Sequence, residues 1–271
     1  MIGDYLGGWI SATESVIFVD DEISTGKTLI NLIDQVREKY PQLNKKQVVA
    51  ASILNRVSAV NEKRLIDANI ACEWLVKVPE EDYSAVVQNI PIRAAATVDS
   101  VALDMTHQTL FCENLHDPRI GTYIGKYKHS CDEVAKTFLV QFAHKIERDS
   151  SILVLGTEEC MYPALKVGEV LERTGQYYQV RCHATTRSPI GISDNSGYPI
   201  SSGHKIKSFY EDARETYIYN LTKYDVVIVV TDTALNGFEA LKNLAGAFCD
   251  DNPSQLFYIQ NGKNVWYTQD K

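Results

Sequence analysis

Residues 16–28 run Val-Ile-Phe-Val-Asp-Asp-Glu-Ile-Ser-Thr-Gly-Lys-Thr. The unbroken apolar run from Val16 to Val19 reads as one buried strand of a parallel sheet. Asp20 and Asp21 stand at its carboxyl end, and Ser24 to Thr28 make a short loop of hydroxyls around one glycine. Beyond it Leu29, Ile30, Ile33 and Val36 recur at helical spacing, which predicts a helix over 27–39. A strand that passes so quickly into a helix commits the chain to the α/β class. A returning helix needs a second, parallel strand to pack over.

The next stretch repeats the pattern. Val48 to Leu54 read as a second strand, and residues 57–68 as a polar helix with Val60, Leu65 and Ile66 on one side. Ile70 to Val78 form a third strand, closed by Pro79. Residues 80–129 hold Pro91, Pro118 and short apolar clusters without a steady period, and read as the end of a first domain plus a crossover. Within them His116-Asp117-Pro118-Arg119-Ile120-Gly121 reads as a solvated turn, with the alternative that it presents Arg119.

A second α/β unit follows. Ser130-x-x-Glu133 is a capping-box pattern, and it predicts a helix over 131–148. Residues 152–155 read as a strand ending on Gly156-Thr157-Glu158-Glu159. A helix is predicted from near Pro163 to Gly175, and a strand over 177–184. Residues 191–204 read as a long loop, and Phe209, Ala213 and Tyr217 predict a helix over 207–220. Val226 to Val230 are the central strand, with Thr231-Asp232-Thr233 at its end and a helix over 235–248 beyond. The tail reads as a hairpin through Asn261-Gly262. The expected division is a first domain over 1–110, a crossover over 111–130 and a second domain over 131–271.

Composition narrows the chemistry. The net charge of −8, without a long Lys/Arg cluster, argues against a nucleic-acid surface. The six cysteines are scattered, with no C-x-x-C, as in a reduced cytoplasm. No leader pattern and no membrane-length apolar run occurs, so a cytosolic protein is expected, with no membrane partner. The histidines show no metal spacing, and no nucleophile elbow marks a hydrolase. Gly26-Lys27-Thr28 matches the end of a nucleotide P-loop, but that motif needs a glycine where this chain has Asp21. A carboxylate there repels a polyphosphate.

What remains is a helix start that suits one phosphate, beside two acids that suit the vicinal hydroxyls of a sugar. A second constellation comprises the strand ends Gly156–Glu159, Thr185–Ser188 and Thr231–Thr233, which doubly wound topology brings to one edge. Arg187 is the natural anion anchor there, with hydroxyls from Thr185, Thr186 and Ser188. Glu158 and Glu159 suit sugar hydroxyls, an amine or a metal. The competing expectation is that Arg187 pairs with Glu158 or Asp232 as structural glue.

Residues 16–28 resemble the phosphoribosyl diphosphate (PRPP) motif of type I phosphoribosyltransferases. The resemblance implies that Asp20 and Asp21 are the catalytic-site acids on the ribose 2- and 3-hydroxyls. It implies that Glu22 belongs to the same site and that Ser24, Thr25, Gly26, Lys27 and Thr28 wrap the 5-phosphate. Mg²⁺ would come with the pyrophosphate, with no organic cofactor and no metal ligands of the protein's own. Thr186-Arg187-Ser188-Pro189 resembles the signature of the TRSP domain. That domain follows a phosphoribosyltransferase-like domain in proteins encoded with bacterial tellurite-resistance and stress-response genes. Gly156-Thr157-Glu158-Glu159 with Met161-Tyr162-Pro163, and Tyr219-Asn220 before the Asp225 strand, are similar to the same family. Its second-domain pocket would take in Gly156, Thr157, Glu158, Glu159, Thr185, Thr186, Arg187, Ser188 and Asp232.

The implied fold is an incomplete type I phosphoribosyltransferase-like (Rossmann-like) parallel sheet, then a second doubly wound α/β domain with a C-terminal β-hairpin. The implied function is that of a phosphoribosyltransferase-like protein binding PRPP or a ribose 5-phosphate product, in the biosynthesis of a nucleoside-like small molecule, with a phosphoribosyl or other anionic small molecule as its substrate. The alternative is a non-catalytic PRPP-binding regulatory or assembly subunit. Only fifteen residues precede Val16, where the family has a pyrophosphate loop, a catalytic loop and a hood. The expectation is therefore a partial catalytic domain, inactive alone, completed by a second copy or a partner chain.

Overall fold

The computed structural model describes residues 6–79, 81, 84–234, 237–248 and 253–269. Two compact units, Met1–Gln88 and Asn89–Lys271, divide the chain.

The first unit contains α1 (Leu6–Ser11), β1 (Ser15–Ile23), α2 (Lys27–Lys39), β2 (Gln47–Asn55), α3 (Ala59–Asp67), β3 (Ala71–Lys77) and the short α4 (Ser84–Val87). The three strands pair in parallel in the order β1-β2-β3, with Val16 opposite Val48 and Asp20 opposite Ser52. This is the predicted βαβαβ run. Two right-handed crossovers that advance in one direction put both helices on the same face. Ile33 and Val36 of α2 and Leu65 of α3 accordingly pack with Val48 and Ala50 of β2 in one core.

The other face is bare. Ile17 is 58% exposed, Val19 79%, Ile53 60% and Leu75 81%. The expectation of a wholly buried first strand is corrected: β1 is sealed on one side only. An apolar run states that both faces are greasy, not that both are covered. β1 also continues through Asp20, Asp21 and Glu22 to Ile23, so the acids lie within its carboxyl half.

The second unit contains β4 (Ala96–Thr97), β5 (Thr106–Thr109), α5 (Ile124–Phe142), β6 (Ser151–Gly156), α6 (Met161–Glu172), β7 (Gln179–Ala184), β8 (Gly203–Lys207), β9 (Glu215–Tyr219), β10 (Val226–Thr231), α7 (Phe238–Gly246), β11 (Gln255–Gln260) and β12 (Asn264–Tyr267). The large sheet runs β5-β12-β11-β10-β6-β7, and a small one runs β4-β8-β9. β11, β10, β6 and β7 are parallel, while β12 and β5 add antiparallel at one edge. Phe138 and Phe142 of α5 and Val167 and Leu171 of α6 cover one face through Ile152, Val154 and Ile228. Leu241 and Leu244 of α7 cover the other through Leu153, Leu155, Val227 and Val229. β10, apolar on both faces, is buried along its whole length, as a central strand requires. Asn261 and Gly262 both take positive φ in the β11–β12 turn, and the Lys263 amide donates to the Gln260 carbonyl at 3.0 Å. That is the expected hairpin turn.

Two predicted helices change. The helix read over 131–148 begins two turns earlier, at Ile124, and ends at Phe142. Ser130 is therefore no cap: it lies inside α5, where its hydroxyl donates to the Tyr127 carbonyl at 2.9 Å. The helix read over 207–220 is absent, since β8 and β9 pair antiparallel there, with Ile206 opposite Thr216. The buried residues Thr216 and Ile218 alternate with Glu215 and Tyr217, a period of two that outweighs the four-residue spacing. The helix read over 235–248 is described from Phe238 to Gly246, and Leu235 lies outside the described residues. Among the described residues the cysteines are unpaired, and no helix is long and apolar enough to cross a membrane.

Candidate functional site

The acids of the first unit stand on β1 and face water. The Asp21 amide donates to Asp20 Oδ1, and the Glu22 amide to Asp21 Oδ1, each at 3.0 Å. Each carboxylate thus folds back onto the next peptide and keeps its other lone pairs available. Partial burial, then the hydrogen bond and charge of Asp21, push the Asp20 carboxyl above the usual aspartate range. Glu22 behaves differently: its Oε1 receives Arg56 Nη1 at 3.3 Å, at the carboxyl end of β2. Glu22 is a brace between strands, whereas Asp20 and Asp21 remain open to a ligand.

The loop then turns sharply. Gly26 takes φ of 69°, and a Cβ there would meet Leu65 at 3.2 Å, so glycine sets the helix start close against α3. Gly26 gives α2 no side-chain cap, and Thr25 Oγ1 accepts from the Lys27 amide only at 3.4 Å. Amides of an uncapped helix start suit an oxyanion. Residues 20–28 therefore form one contiguous strand–loop–helix turn, with the acids on β1 and the hydroxyls and free amides on the loop and the first turn of α2.

In the second unit the predicted residues divide into two groups. Glu158, Glu159 and Met161 join Ala184 to Pro189 around a cavity of 480 Å³ over the ends of β6 and β7. Arg187 reaches neither Glu158 nor Asp232; it pairs with the exposed Glu159 at 2.7 Å. Thr185 is buried and takes the Glu158 amide on its hydroxyl at 2.8 Å. Thr186 Oγ1 accepts from the Ser188 amide at 3.1 Å and shapes the loop. His183 Nε2 donates to the Tyr219 carbonyl at 2.8 Å and so bonds β7 to β9. Gly156 permits the tight exit from β6, because a Cβ there would lie 2.5 Å from the Cys160 carbonyl oxygen.

Glu158 is buried, with its backbone at φ 49°. Its carboxylate accepts from Ser208 Oγ at 2.5 Å and from Arg214 Nη2 at 2.8 Å. It ties the large sheet to the β8–β9 segment. Asp232 lies in a separate cluster beside Thr157. Tyr210 donates its hydroxyl to Asp232 Oδ1 at 2.6 Å, and Arg119 Nη2 meets Oδ2 at 2.9 Å. The Arg119 guanidinium stacks over the Tyr210 ring, 5.3 Å from its centroid. Burial opposes the charge on Arg119, but the hydrogen bond and charge of Asp232 outweigh it and hold the group protonated. Burial pushes the Tyr210 hydroxyl and the Cys160 thiol far up, so both stay neutral.

Arg119, Ser208, Tyr210 and Arg214 are the residues that sequence reasoning passed over. For Arg119 the signal was the Asp117-Pro118-Arg119 turn, set aside in favour of a solvated turn. Ser208, Tyr210 and Arg214 fell in the segment misread as a helix.

A family model described as "Phosphoribosyl transferase", PRTase_2, matches residues 6–80. A second, described as "TRSP domain C terminus to PRTase_2", matches residues 119–248. No curated protein and no solved structure matches the chain. The two matched regions carry the acids and loop of β1–α2 on one side and the Arg187 cavity and Asp232 cluster on the other. The chain is thus a phosphoribosyltransferase-like protein in which a PRTase_2 region is followed by a TRSP domain.

Proposed function

We propose that residues 20–28 hold the ribose 5-phosphate part of PRPP, or of the product formed from it. The observation that carries this reading is a pair of exposed carboxylates, Asp20 and Asp21, beside a helix start left uncapped by Gly26. In this reading Asp20 and Asp21 accept from the ribose hydroxyls. Ser24, Thr25 and Thr28 donate to the 5-phosphate together with the first amides of α2, and Lys27 adds a positive charge. Transfer at the anomeric carbon passes through a cation-like state, which two nearby carboxylates favour. Magnesium enters with the diphosphate, as part of the substrate. Among the described residues no three His, Cys, Asp or Glu side chains cluster to hold an ion.

The second domain, in the same reading, takes an anionic partner substrate at Arg187, in the 480 Å³ cavity. The product is a nucleoside-like small molecule made in the cytosol in a stress response of the tellurite-resistance type. Calorimetry with ribose 5-phosphate, and with PRPP plus magnesium, tests the sugar site. Binding is expected in the wild type and lost in Asp20→Asn/Asp21→Asn; equal heats in both would remove the reading.

The openness of Asp20 and Asp21 favours a second reading, a phosphosugar-binding regulatory or assembly subunit, because catalysis at an anomeric carbon needs water kept out. PRPP binding without pyrophosphate release would select it.

A further inference from the structure

In the large sheet the connection from β6 through α6 leads to β7 on one side. The connection from β10 through α7 leads to β11 on the other. The chain therefore reverses direction between β6 and β10. Open α/β sheets form a crevice at such a reversal, outside the carboxyl ends of the strands, and ligands bind there. The residues that stand just beyond those two ends are Thr157 and Asp232.

They are joined by Tyr210, whose hydroxyl lies 3.1 Å from Thr157 Oγ1 and 2.6 Å from Asp232 Oδ1. Arg119 arrives from a distant part of the chain to complete the cluster. The Asp232 side chain is 4% exposed and that of Arg119 is 43% exposed. Burying a carboxylate costs several kcal/mol, and an apolar residue commonly serves stability as well or better. What Asp232 does instead is hold the Arg119 guanidinium beside the carboxyl ends of β6 and β10, with the Tyr210 ring as its platform. On the outer side Arg119 Nε meets Asp117 at 3.0 Å, where both groups are well solvated. An exposed pair of that kind contributes little and exchanges readily.

We propose that Arg119 is the oxyanion-reading residue of a ligand site at this switch point, positioned by Asp232 and Tyr210. It takes a phosphate- or carboxylate-bearing small molecule in exchange for Asp117. The site is distinct from the Arg187 cavity, which opens over the ends of β6 and β7. Asp117 acts as a built-in competitor: it occupies the outer side of the arginine until a stronger, bidentate oxyanion replaces it. The neighbouring Pro118, Ile120 and Gly121 are exposed, so the segment shifts to admit a ligand without uncovering core.

The test uses the full chain carrying Lys27→Glu, which sets a carboxylate at the start of α2 and so closes the phosphate cradle proposed above. Calorimetry is run with inorganic phosphate and, separately, with succinate. Arg119→Gln is expected to weaken binding about tenfold or more, and Arg119→Lys to restore part of it. Asp117→Asn keeps the turn's capping oxygen and is expected to tighten binding several-fold, a gain that structural damage does not mimic. Binding of phosphate alone assigns a phosphoester ligand, and equal binding of succinate assigns a carboxylate. No binding by the parent at millimolar concentrations would overturn the inference, as would Asp117→Asn binding no tighter than the parent. Loss in Arg187→Gln with Arg119→Gln unaffected would also overturn it, while leaving the Arg187 reading in place.

Discussion

Asp20 shows how an adjacent acid changes the ionisation of an exposed carboxyl. Asp20 and Asp21 are both exposed acids on β1, yet burial and the adjacent Asp21 disfavour the ionised form of Asp20. A carboxyl whose folded value is raised adds stability below the ordinary aspartate range, and this is lost as pH rises through the raised value. At neutral pH the ionised Asp20 is therefore a mild burden on the fold. Asp20→Asn is expected to hold or raise the thermal midpoint at neutral pH, with the difference vanishing in acid, while ribose 5-phosphate binding falls. Thermal denaturation across pH, set beside calorimetry on the same samples, reads both effects. A midpoint clearly lowered at neutral pH would mean that Asp20 holds structure.

Pairs of elements tell where the parallel sheets take their register. Asp225, just before β10, accepts the Ser151 hydroxyl at 2.6 Å and the Ser151 amide at 2.8 Å, at the start of β6. These bonds hold its carboxyl below the usual aspartate range, the hydroxyl contributing most. Stability from a depressed carboxyl is present above the ordinary aspartate range and lost as pH falls through the folded value. Asp225→Asn is expected to cost about 1 kcal/mol at neutral pH, since the staple is charge-assisted but solvated. It should also flatten the acid limb of the stability curve. Urea unfolding at neutral and acidic pH checks both; identical acid limbs would refute the assignment. Strand pairing of this kind was legible wherever the pattern was dense, as in Val226 to Val230. The β8–β9 pair was not, because Phe209, Ala213 and Tyr217 share a helical spacing, and a period of two shows only once burial of Thr216 and Ile218 is known.

The largest consequence for the whole molecule comes from the first unit. A parallel sheet normally has both faces covered. Here Ile17, Val19, Ile53 and Leu75 leave one face to water. Surface substitutions away from packed contacts change stability within about 0.5 kcal/mol. Val19→Lys/Leu75→Lys is therefore expected to leave the unfolding midpoint in place and to abolish concentration-dependent association in sedimentation velocity. A wild-type chain that stays monomeric over the whole concentration range would contradict a role for this face in self-association.

The sequence by itself determined the α/β class, the two parallel cores, the hairpin and the strand–loop–helix turn at residues 20–28. All of these rest on contiguous patterns, in which neighbouring residues create the structure they predict. The sheet order, the side of β1 left bare, and the Arg119–Tyr210–Asp232 cluster were decided only by tertiary structure. Each depends on which distant segments come to share an edge or a face. A lone arginine in a turn reads as a solvated charge until the fold sets a buried carboxylate beneath it.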